Sequence, residues 1–170
     1  MTPVLVLVGA PGSGKTTVGA LVAERLGVSL RDTDVDVEAT TGKRVADIFI
    51  DDGEQTFREL ERDAVHVALR EHDGVLSLGG GAVLDNAVRE ALRSHRVVWL
   101  KVGLADATKR VGLARDRPIL ALNPRATLAR MLTDRASLYE EVASSRVDTD
   151  GREPADVAAE ILAGLAVADR

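Results

Sequence analysis

The sequence predicts an α/β protein in which a parallel sheet carries helices on both faces. Short apolar runs that suit buried strands alternate with longer segments of helical periodicity, the order expected of such a sheet. Residues 9–16 read GAPGSGKT and directly follow the apolar run at 4–8, so strand, glycine-rich turn and helix stand in the order of a phosphate-binding P-loop. The length of 170 residues suits one domain, which we expect to span residues 1–170.

Short apolar runs between polar or glycine-containing turns mark the expected strands. We place strands at residues 4–8, 29–32, 74–78, 96–102 and 146–148. The first precedes the P-loop, and the third ends in three consecutive glycines. Trp99 stands among valines and a leucine in the fourth, which predicts a core position for that strand.

Helical spacing or helix-start signals mark the segments between the strands. We expect helices at residues 14–26, 34–40, 45–52, 54–71, 85–93, 104–111, 124–142 and 154–167. Pro124 and Pro154 suit first-turn positions, where the missing N–H costs nothing. Phe57 and Leu60 belong to an apolar stripe on the fourth helix, and Ile161 to one on the last, so both helices are expected to pack on a core.

The P-loop segment predicts a site for nucleotide phosphates. Its glycines let successive backbone N–H groups converge on the anion, and the following helix points its positive end there. Lys15 is expected to reach the β- and γ-phosphates and the Thr16 hydroxyl to ligate Mg²⁺. A glycine turn without a ligand is the simpler alternative. The expected ATP contacts in this segment are Gly12, Ser13, Gly14, Lys15, Thr16 and Thr17.

Composition and charge exclude several classes of function. The net charge of −5 argues against a general nucleic-acid surface, which needs a basic face. The absence of cysteine excludes disulfides, thiolate metal sites and cysteine nucleophiles, so any metal must be held by oxygen ligands. No apolar stretch reaches the length of a membrane span, and no leader pattern precedes the first strand. We expect a cytoplasmic monomer that binds neither nucleic acid nor membrane.

Two further segments are expected at the same edge of the sheet as the P-loop. Asp32 and Asp34 follow the second strand, and Gly79, Gly80 and Gly81 follow the third; open α/β sheets bind ligands at the ends of such strands. The carboxylates could assist Mg²⁺ or deprotonate an acceptor hydroxyl, whereas the alternative is that Asp34 only caps the next helix. The glycines could expose amides to a substrate or form a plain turn.

Arginines in two places have both a functional and a simpler interpretation. Arg117 lies in a stretch without helical periodicity, where it could be the cation that a lid brings over the transferring phosphate, or part of a solvated basic loop. Arg58 and Glu61 are three residues apart on a predicted helix. They could form a surface ion pair of little energetic value, or the glutamate could orient the arginine for a functional contact.

Together these segments resemble the shikimate kinase family over almost the whole chain. The matching stretches are GAPGSGKTTVG at 9–19, DTDVDVE at 32–38, VADIF at 45–49, GEQTFRELE at 53–61, LSLGGGAV at 76–83, RPIL at 117–120 and DRASLYEEVA at 134–143. The resemblance implies a three-layer P-loop NTPase fold with a five-stranded parallel sheet in the order 2-3-1-4-5 and a mobile lid at about residues 112–124. It also implies ATP-dependent phosphorylation of the 3-hydroxyl of shikimate, a step toward chorismate and aromatic amino acids.

The resemblance further implies roles for individual residues. Arg58 and Arg135 would hold the shikimate carboxylate, and Asp34, in an acceptor-binding region at about residues 33–61, would bind ring hydroxyls and serve as the base. Lys15 and Arg117 would carry the developing phosphoryl charge. The resemblance also implies contacts to the acceptor from Gly79, Gly80, Gly81, Phe49, Phe57 and Pro118, with Glu61 beside Arg58. Thr16 would bind Mg²⁺ directly, and Asp32 and Ser77 would contact it through water. The residues implied around the adenine are Arg110, Arg152 and Pro154.

Two other functions compete with this interpretation. A related small-molecule kinase acting on gluconate or a nucleotide would share the P-loop and lid, but the expected carboxylate clamp of Arg58 and Arg135 argues against it. A nucleotide-dependent switch would need a partner surface and a water-positioning residue, and the sequence indicates neither clearly.

Overall fold

The strands form one parallel sheet. A computed structural model of the chain describes residues 1–112 and 123–169. Within these residues lie the strands β1 (Leu5–Val8), β2 (Leu30–Asp32), β3 (Val75–Ser77), β4 (Val97–Lys101) and β5 (Ser145–Asp148). The sheet order is β2-β3-β1-β4-β5, and every neighbouring pair is parallel. The order implied by the resemblance is therefore confirmed.

The helices connect successive strands. They are α1 (Lys15–Leu26), α2 (Thr33–Thr41), α3 (Val45–Asp51), α4 (Gly53–Glu71), α5 (Asn86–Leu92), α6 (Leu104–Val111), α7 (Pro124–Val142) and α8 (Pro154–Ala168), with a short 3-10 helix at Ala82–Leu84. The predicted strands and helices are all present, with ends that differ by no more than one residue. The 3-10 helix was not predicted, since three residues are too few to show a period.

Caps explain some of the shifted helix ends. Asp85 was predicted as the first residue of a helix, but its side chain accepts hydrogen bonds from the backbone of Ala87 and Val88, so it is the N-cap of α5. Asp32 likewise accepts from the backbone N–H of Asp34 and caps α2. The alternative in which Asp34 is the cap is therefore wrong, because the cap lies two residues earlier.

The sheet is covered on both faces, as the buried β1 shows. Its residues alternate between two apolar clusters: Val6 and Val8 pack with α4, α5 and α7, while Leu5 and Leu7 pack with α1 and α8. A smaller cluster beneath α2, α3 and α4 contains Val37, Ile48 and Phe57. Trp99 and Ile161 are buried as predicted. None of the described helices is both long and apolar enough to cross a membrane.

The parallel register brings several functional segments to one edge of the sheet. Ser77 of β3 is aligned with Asp32 on one side and with Leu7 on the other. The P-loop, the start of α2 and the three glycines after β3 therefore all begin at the carboxyl ends of adjacent strands. This edge holds the candidate site.

Candidate active site

The P-loop forms a cradle between β1 and α1. Gly14 adopts φ 89° and caps α1 without a side-chain hydrogen bond, and the first turn of α1 carries no acidic residue. The positive end of the helix is therefore available to an anion. Gly12 adopts φ 80°, and a Cβ atom there would lie 3.0 Å from the Ala107 carbonyl oxygen, so both backbone conformation and close packing require glycine at this position.

The Lys15 ammonium lies against the inside of this loop. Its Nζ donates to the carbonyl oxygen of Gly9 at 2.6 Å and to that of Ala10 at 3.2 Å. A cation held at the carbonyls of a phosphate-binding loop can reach the phosphates that the amides of the same loop bind. Lys15 therefore lies at the P-loop, and its contact with the β- and γ-phosphates stays a prediction.

Oxygen atoms suited to a hard cation meet beside the P-loop. The Thr16 hydroxyl donates to Asp32 Oδ2 at 3.4 Å. The buried hydroxyl of Ser77, which is aligned with Asp32 in the sheet, has no hydrogen-bond partner in the described part of the chain. A hydroxyl, a carboxylate and a buried hydroxyl without a partner fit Mg²⁺, which prefers oxygen ligands and keeps several waters. Among residues 1–112 and 123–169, no group of three or more histidine or acidic side chains could hold a metal ion.

A partly buried ion pair lies next to this region. Arg58 Nη1 donates to Glu61 Oε2 at 2.7 Å, and Arg58 also approaches Glu54 at 3.5 Å. Glu61 is only 2% exposed, so the interpretation of Arg58 and Glu61 as a surface ion pair is wrong. Burial raises the pKa of the Glu61 carboxyl, an effect that Arg58 opposes and Asp34 reinforces.

The three glycines after β3, which we call the glycine loop (Gly79, Gly80 and Gly81), pack against these charged side chains. A Cβ atom on Gly79 would lie 2.6 Å from Asp34 Oδ1 and would also meet the Glu61 carboxylate, and one on Gly81 would meet the Arg58 guanidinium. Bare backbone is therefore needed for the close approach of the loop. This contact brings the start of α2, the middle of α4 and the end of β3 together.

Arg135 of α7 completes the group that we call the acceptor cluster (Asp34, Arg58, Glu61 and Arg135). Its side chain is buried, and its charge lowers the pKa of Glu61, against the stronger effect of burial. Two cations beside two carboxylates form a polar cluster that could bind an anionic acceptor.

Aromatic rings adjoin one side of the cluster. The rings of Phe49 and Phe57 lie 4.7 Å apart, and the Arg58 guanidinium is 5.9 Å and 5.3 Å from their respective centroids. Two of the three apolar residues expected around the acceptor, Phe49 and Phe57, thus lie beside the arginine.

Two polar residues of this site were missed in the sequence. The Thr33 hydroxyl is fully buried and accepts from the Gly79 N–H at 3.1 Å. The buried Tyr139 donates its hydroxyl to the Gly80 carbonyl oxygen at 2.5 Å. One available signal was the position of Tyr139 one helical turn after Arg135. Thr33 offered only its place between Asp32 and Asp34.

The residues expected around the adenine converge on the segment after β5. Arg110 donates to the Gly12 carbonyl oxygen at 3.1 Å and to the Thr149 carbonyl oxygen at 3.0 Å. Arg152 donates to Glu160 Oε2 at 2.6 Å, and its backbone N–H donates to the Thr149 carbonyl oxygen at 3.3 Å. Pro154 begins α8. Arg110 thus links the P-loop to the segment that carries Arg152.

Part of the predicted site lies outside the described residues. Arg117 and Pro118, with most of the expected lid at about residues 112–124, fall between residues 112 and 123. The remaining predicted side chains divide into the group at the P-loop, the acceptor cluster and the pair after β5.

Comparisons with known proteins agree on one family. A family model described as shikimate kinase matches residues 11–166. A shikimate kinase of Salinispora arenicola is 58% identical over 166 residues, which cover 98% of this chain and 99% of the relative. A shikimate kinase of Salinispora tropica is 59% identical over 165 residues, which cover 97% and 99%.

Solved structures give the same result. The shikimate kinase from Acinetobacter baumannii in complex with shikimate has a TM-score of 0.93 and 34% identity, and covers 100% of this chain and 95% of its own. A gluconokinase from Sinorhizobium meliloti has a TM-score of 0.61 and 22% identity over 96% of this chain and 91% of its own, a likeness of fold alone.

Proposed function

This chain belongs to the shikimate kinase family and is an ATP-dependent kinase of shikimate in aromatic amino acid biosynthesis; we propose that the acceptor cluster binds shikimate beside the P-loop. The observation that carries the proposal is the close approach of the glycine loop to Asp34, Arg58 and Glu61 at the sheet edge where the P-loop begins. A carboxylate and several hydroxyls on one ring need both cations and acceptors within a few ångströms. The cluster supplies both.

Shikimate binds through its carboxylate and its hydroxyls. Arg58, held by Glu61, and Arg135 clamp the carboxylate, since guanidinium groups match carboxylates in a planar fork. Asp34 accepts hydrogen bonds from ring hydroxyls, and the glycine loop adds backbone contacts. Phe49, Phe57 and Pro118 form the apolar side of the pocket.

ATP binds across the P-loop and the segment after β5. Residues Gly12, Ser13, Gly14, Lys15, Thr16 and Thr17 contact the phosphates, and Arg110, Arg152 and Pro154 flank the adenine. Thr16 would hold Mg²⁺ directly, and Asp32 and Ser77 would contact it through water; the ion would supply positive charge beside the phosphates.

Transfer proceeds in line from the γ-phosphate to the 3-hydroxyl of shikimate. Asp34 accepts the hydroxyl proton, and the Lys15 ammonium stabilises charge that develops on the phosphoryl oxygens. Arg117 adds a second cation from the lid. Most of the catalysis is positioning and charge stabilisation, as is general for phosphoryl transfer.

The chain acts as a cytoplasmic monomer without nucleic-acid or membrane partners. Its 170 residues form one domain, with the P-loop at 9–16, the acceptor-binding region at about 33–61 and the lid at about 112–124. The net charge of −5 supports the absence of a nucleic-acid surface.

The direct test is ADP release from Mg-ATP by the purified chain. Shikimate, gluconate, each nucleoside monophosphate or no acceptor is added in separate reactions. We expect strong stimulation by shikimate alone. Stimulation by gluconate or a nucleotide instead would leave the P-loop chemistry intact and overturn the assignment of the acceptor cluster.

A further inference from the structure

We propose that Tyr139 is a positioning residue for the acceptor site, because its hydroxyl holds the glycine loop in the orientation that shikimate binding requires. The inference deepens the proposed function and rests on it, since it assumes that shikimate occupies the acceptor cluster. Tyr139 is the one tyrosine of the chain, and the mechanism above gives it no role.

The hydrogen bond of Tyr139 orients the peptide plane between Gly80 and Gly81. Its hydroxyl donates to the Gly80 carbonyl oxygen at 2.5 Å, and the residue is 2% exposed. The carbonyl of Gly80 and the N–H of Gly81 belong to the same rigid peptide unit. Holding the carbonyl therefore fixes the direction of the Gly81 N–H, which lies in the glycine loop beside Arg58.

The protonation state of the phenol suits this role. Burial raises the pKa of Tyr139 to about 12, whereas Arg135 lowers it through its charge and a side-chain hydrogen bond, and Glu61 raises it further. The hydroxyl thus stays protonated at neutral pH and donates a hydrogen bond, which the Gly80 carbonyl oxygen accepts. Arg135 precedes Tyr139 by one helical turn on α7, so a single helix presents both the carboxylate clamp and the anchor of the loop.

The glycine loop is confined on both sides of this anchor. Gly79 donates its N–H to Thr33 at 3.1 Å. A Cβ atom on Gly80 would lie 3.0 Å from Pro11 Cδ, so the P-loop closes the space on that side. The Tyr139 ring in turn stacks on Trp99 of β4, with centroids 5.7 Å apart. The phenol is therefore held rigidly between the sheet and the loop.

A second connection joins α7 to the residues that follow the loop. Arg89 of α5 donates to the carbonyl oxygens of Val83 at 2.8 Å and Leu84 at 3.1 Å. The same arginine pairs with Glu141 of α7 at 3.4 Å. The 3-10 helix is thus tied to α7 as well, and Tyr139 supplies the connection nearest the acceptor.

Tyr139→Phe tests the proposal because it removes one oxygen and keeps the ring stack. We expect the shikimate KM to rise about fivefold, the factor that corresponds to the loss of one ordinary hydrogen bond, with the ATP KM changed less than twofold. Calorimetric titration of shikimate without nucleotide should show the same loss in Kd. A rise in the shikimate KM without a matching rise in the ATP KM distinguishes a positioning role from a general loss of structure.

Ser144→Ala is the matched control. The Ser144 hydroxyl accepts from the Val97 N–H at 3.1 Å between β4 and the start of β5, so its removal also deletes one hydrogen bond to the backbone. Both variants should lose stability, but only Tyr139→Phe should weaken shikimate binding. A folded Tyr139→Phe with wild-type shikimate KM and Kd overturns the proposal, and so does an equal change in the control.

If Tyr139→Phe does not fold, the chain with a fluorine label on Tyr139 provides the test. Growth with 3-fluorotyrosine labels this residue alone, and the single ¹⁹F resonance should move when shikimate is added. A resonance that shikimate leaves unmoved contradicts the proposal. Wild-type chain that shikimate fails to stimulate refutes the proposed function and this inference together, whereas stimulated wild type with an unaffected Tyr139→Phe refutes only the inference.

Discussion

The Lys15 ammonium donates to carbonyl oxygens of its own loop, and its expected partner during the reaction is a phosphate. The short bond to the Gly9 carbonyl oxygen holds the ammonium against the loop. A cation placed in this way acts mainly on charge that develops during transfer.

Lys15→Ala should therefore reduce kcat by about 10²- to 10³-fold, the range for loss of one preorganised charge-stabilising group. The fold should remain intact by circular dichroism. Lys43→Ala is the control, because the ion pairs of Lys43 with Asp51 and Asp52 are exposed; this variant should keep wild-type kcat. Wild-type turnover in Lys15→Ala would refute the assignment of this lysine.

Arg58→Ala should chiefly raise the shikimate KM, by about 10- to 100-fold, because a hydrogen-bonded charge is lost from the acceptor. Steady-state kinetics at saturating ATP measure the change. Arg62→Ala, one turn further along α4 and more exposed, should leave KM unchanged. Equal KM values for wild type and Arg58→Ala would mean that Arg58 serves only to neutralise Glu61.

Glu61 makes stability depend on pH in a direction opposite to that of most paired carboxylates. Burial raises its pKa above 4.5, so the folded state binds more protons than the unfolded state just above that pH. Its contribution to the free energy of unfolding is then greatest at acid pH and falls as pH rises through the folded-state pKa.

Glu61→Gln removes this titration. The midpoint of thermal unfolding of Glu61→Gln, relative to wild type, should increase as pH is raised from about 4.5. Thermal scans from pH 4.5 to pH 8 measure the difference between the two proteins. A difference that stays constant would show that folding leaves the pKa of Glu61 unchanged, and a difference that decreases would show that folding lowers it.

At the scale of elements, the close contacts of the glycine loop explain why it consists of glycines, and its backbone conformation does not. None of its three residues has a positive φ, so backbone strain does not account for the glycines. Close approach to the side chains of Asp34, Glu61 and Arg58 does account for Gly79 and Gly81.

Gly79→Ala should therefore destabilise the protein by about 1–3 kcal/mol through overpacking and weaken shikimate binding. Gly164→Ala is the matched substitution, because Gly164 lies within α8 with no atom within 4 Å of an added Cβ. That variant should be more stable than wild type by about 0.5–1 kcal/mol. Urea unfolding compares the two, and equal effects would remove the packing explanation.

At the scale of the whole molecule, the exposed apolar side chains of the helices that the structure describes are spread over separate elements. Leu26 lies in α1, Val35 in α2, Ile50 in α3, Leu84 in the 3-10 helix and Val167 in α8. Single exposed apolar residues are normal on monomers. Together with the net charge of −5, this distribution supports a chain that works alone.

We expect analytical ultracentrifugation to give one species of 18.1 kDa with and without added duplex DNA. The acidic surface should repel the polyanion at low salt, where any attraction would be strongest. A heavier species in the protein alone would indicate an oligomer, and one that forms only with DNA would indicate a basic face that the net charge conceals.

Local patterns were sufficient for the strands and helices and for the P-loop part of the candidate site. The alternation of strands and helices, the P-loop and the proline helix starts depend on residues close together in the chain, so their physical causes can be read from short segments. The sheet order and the membership of Arg58, Asp34 and Arg135 in one site came from the resemblance of several segments taken together.

Only the tertiary structure decided which groups are buried together and how they are held. Tyr139 and Gly80 are 59 residues apart, and Thr33 and Gly79 are 46 apart, so no local period marks either contact. The Arg58–Glu61 spacing is the same for a surface pair and a buried one, and packing against the glycine loop made the difference. The sequence by itself determined the elements and the chemistry they carry, whereas burial, hydrogen-bond partners and pKa shifts arise from contacts between distant segments.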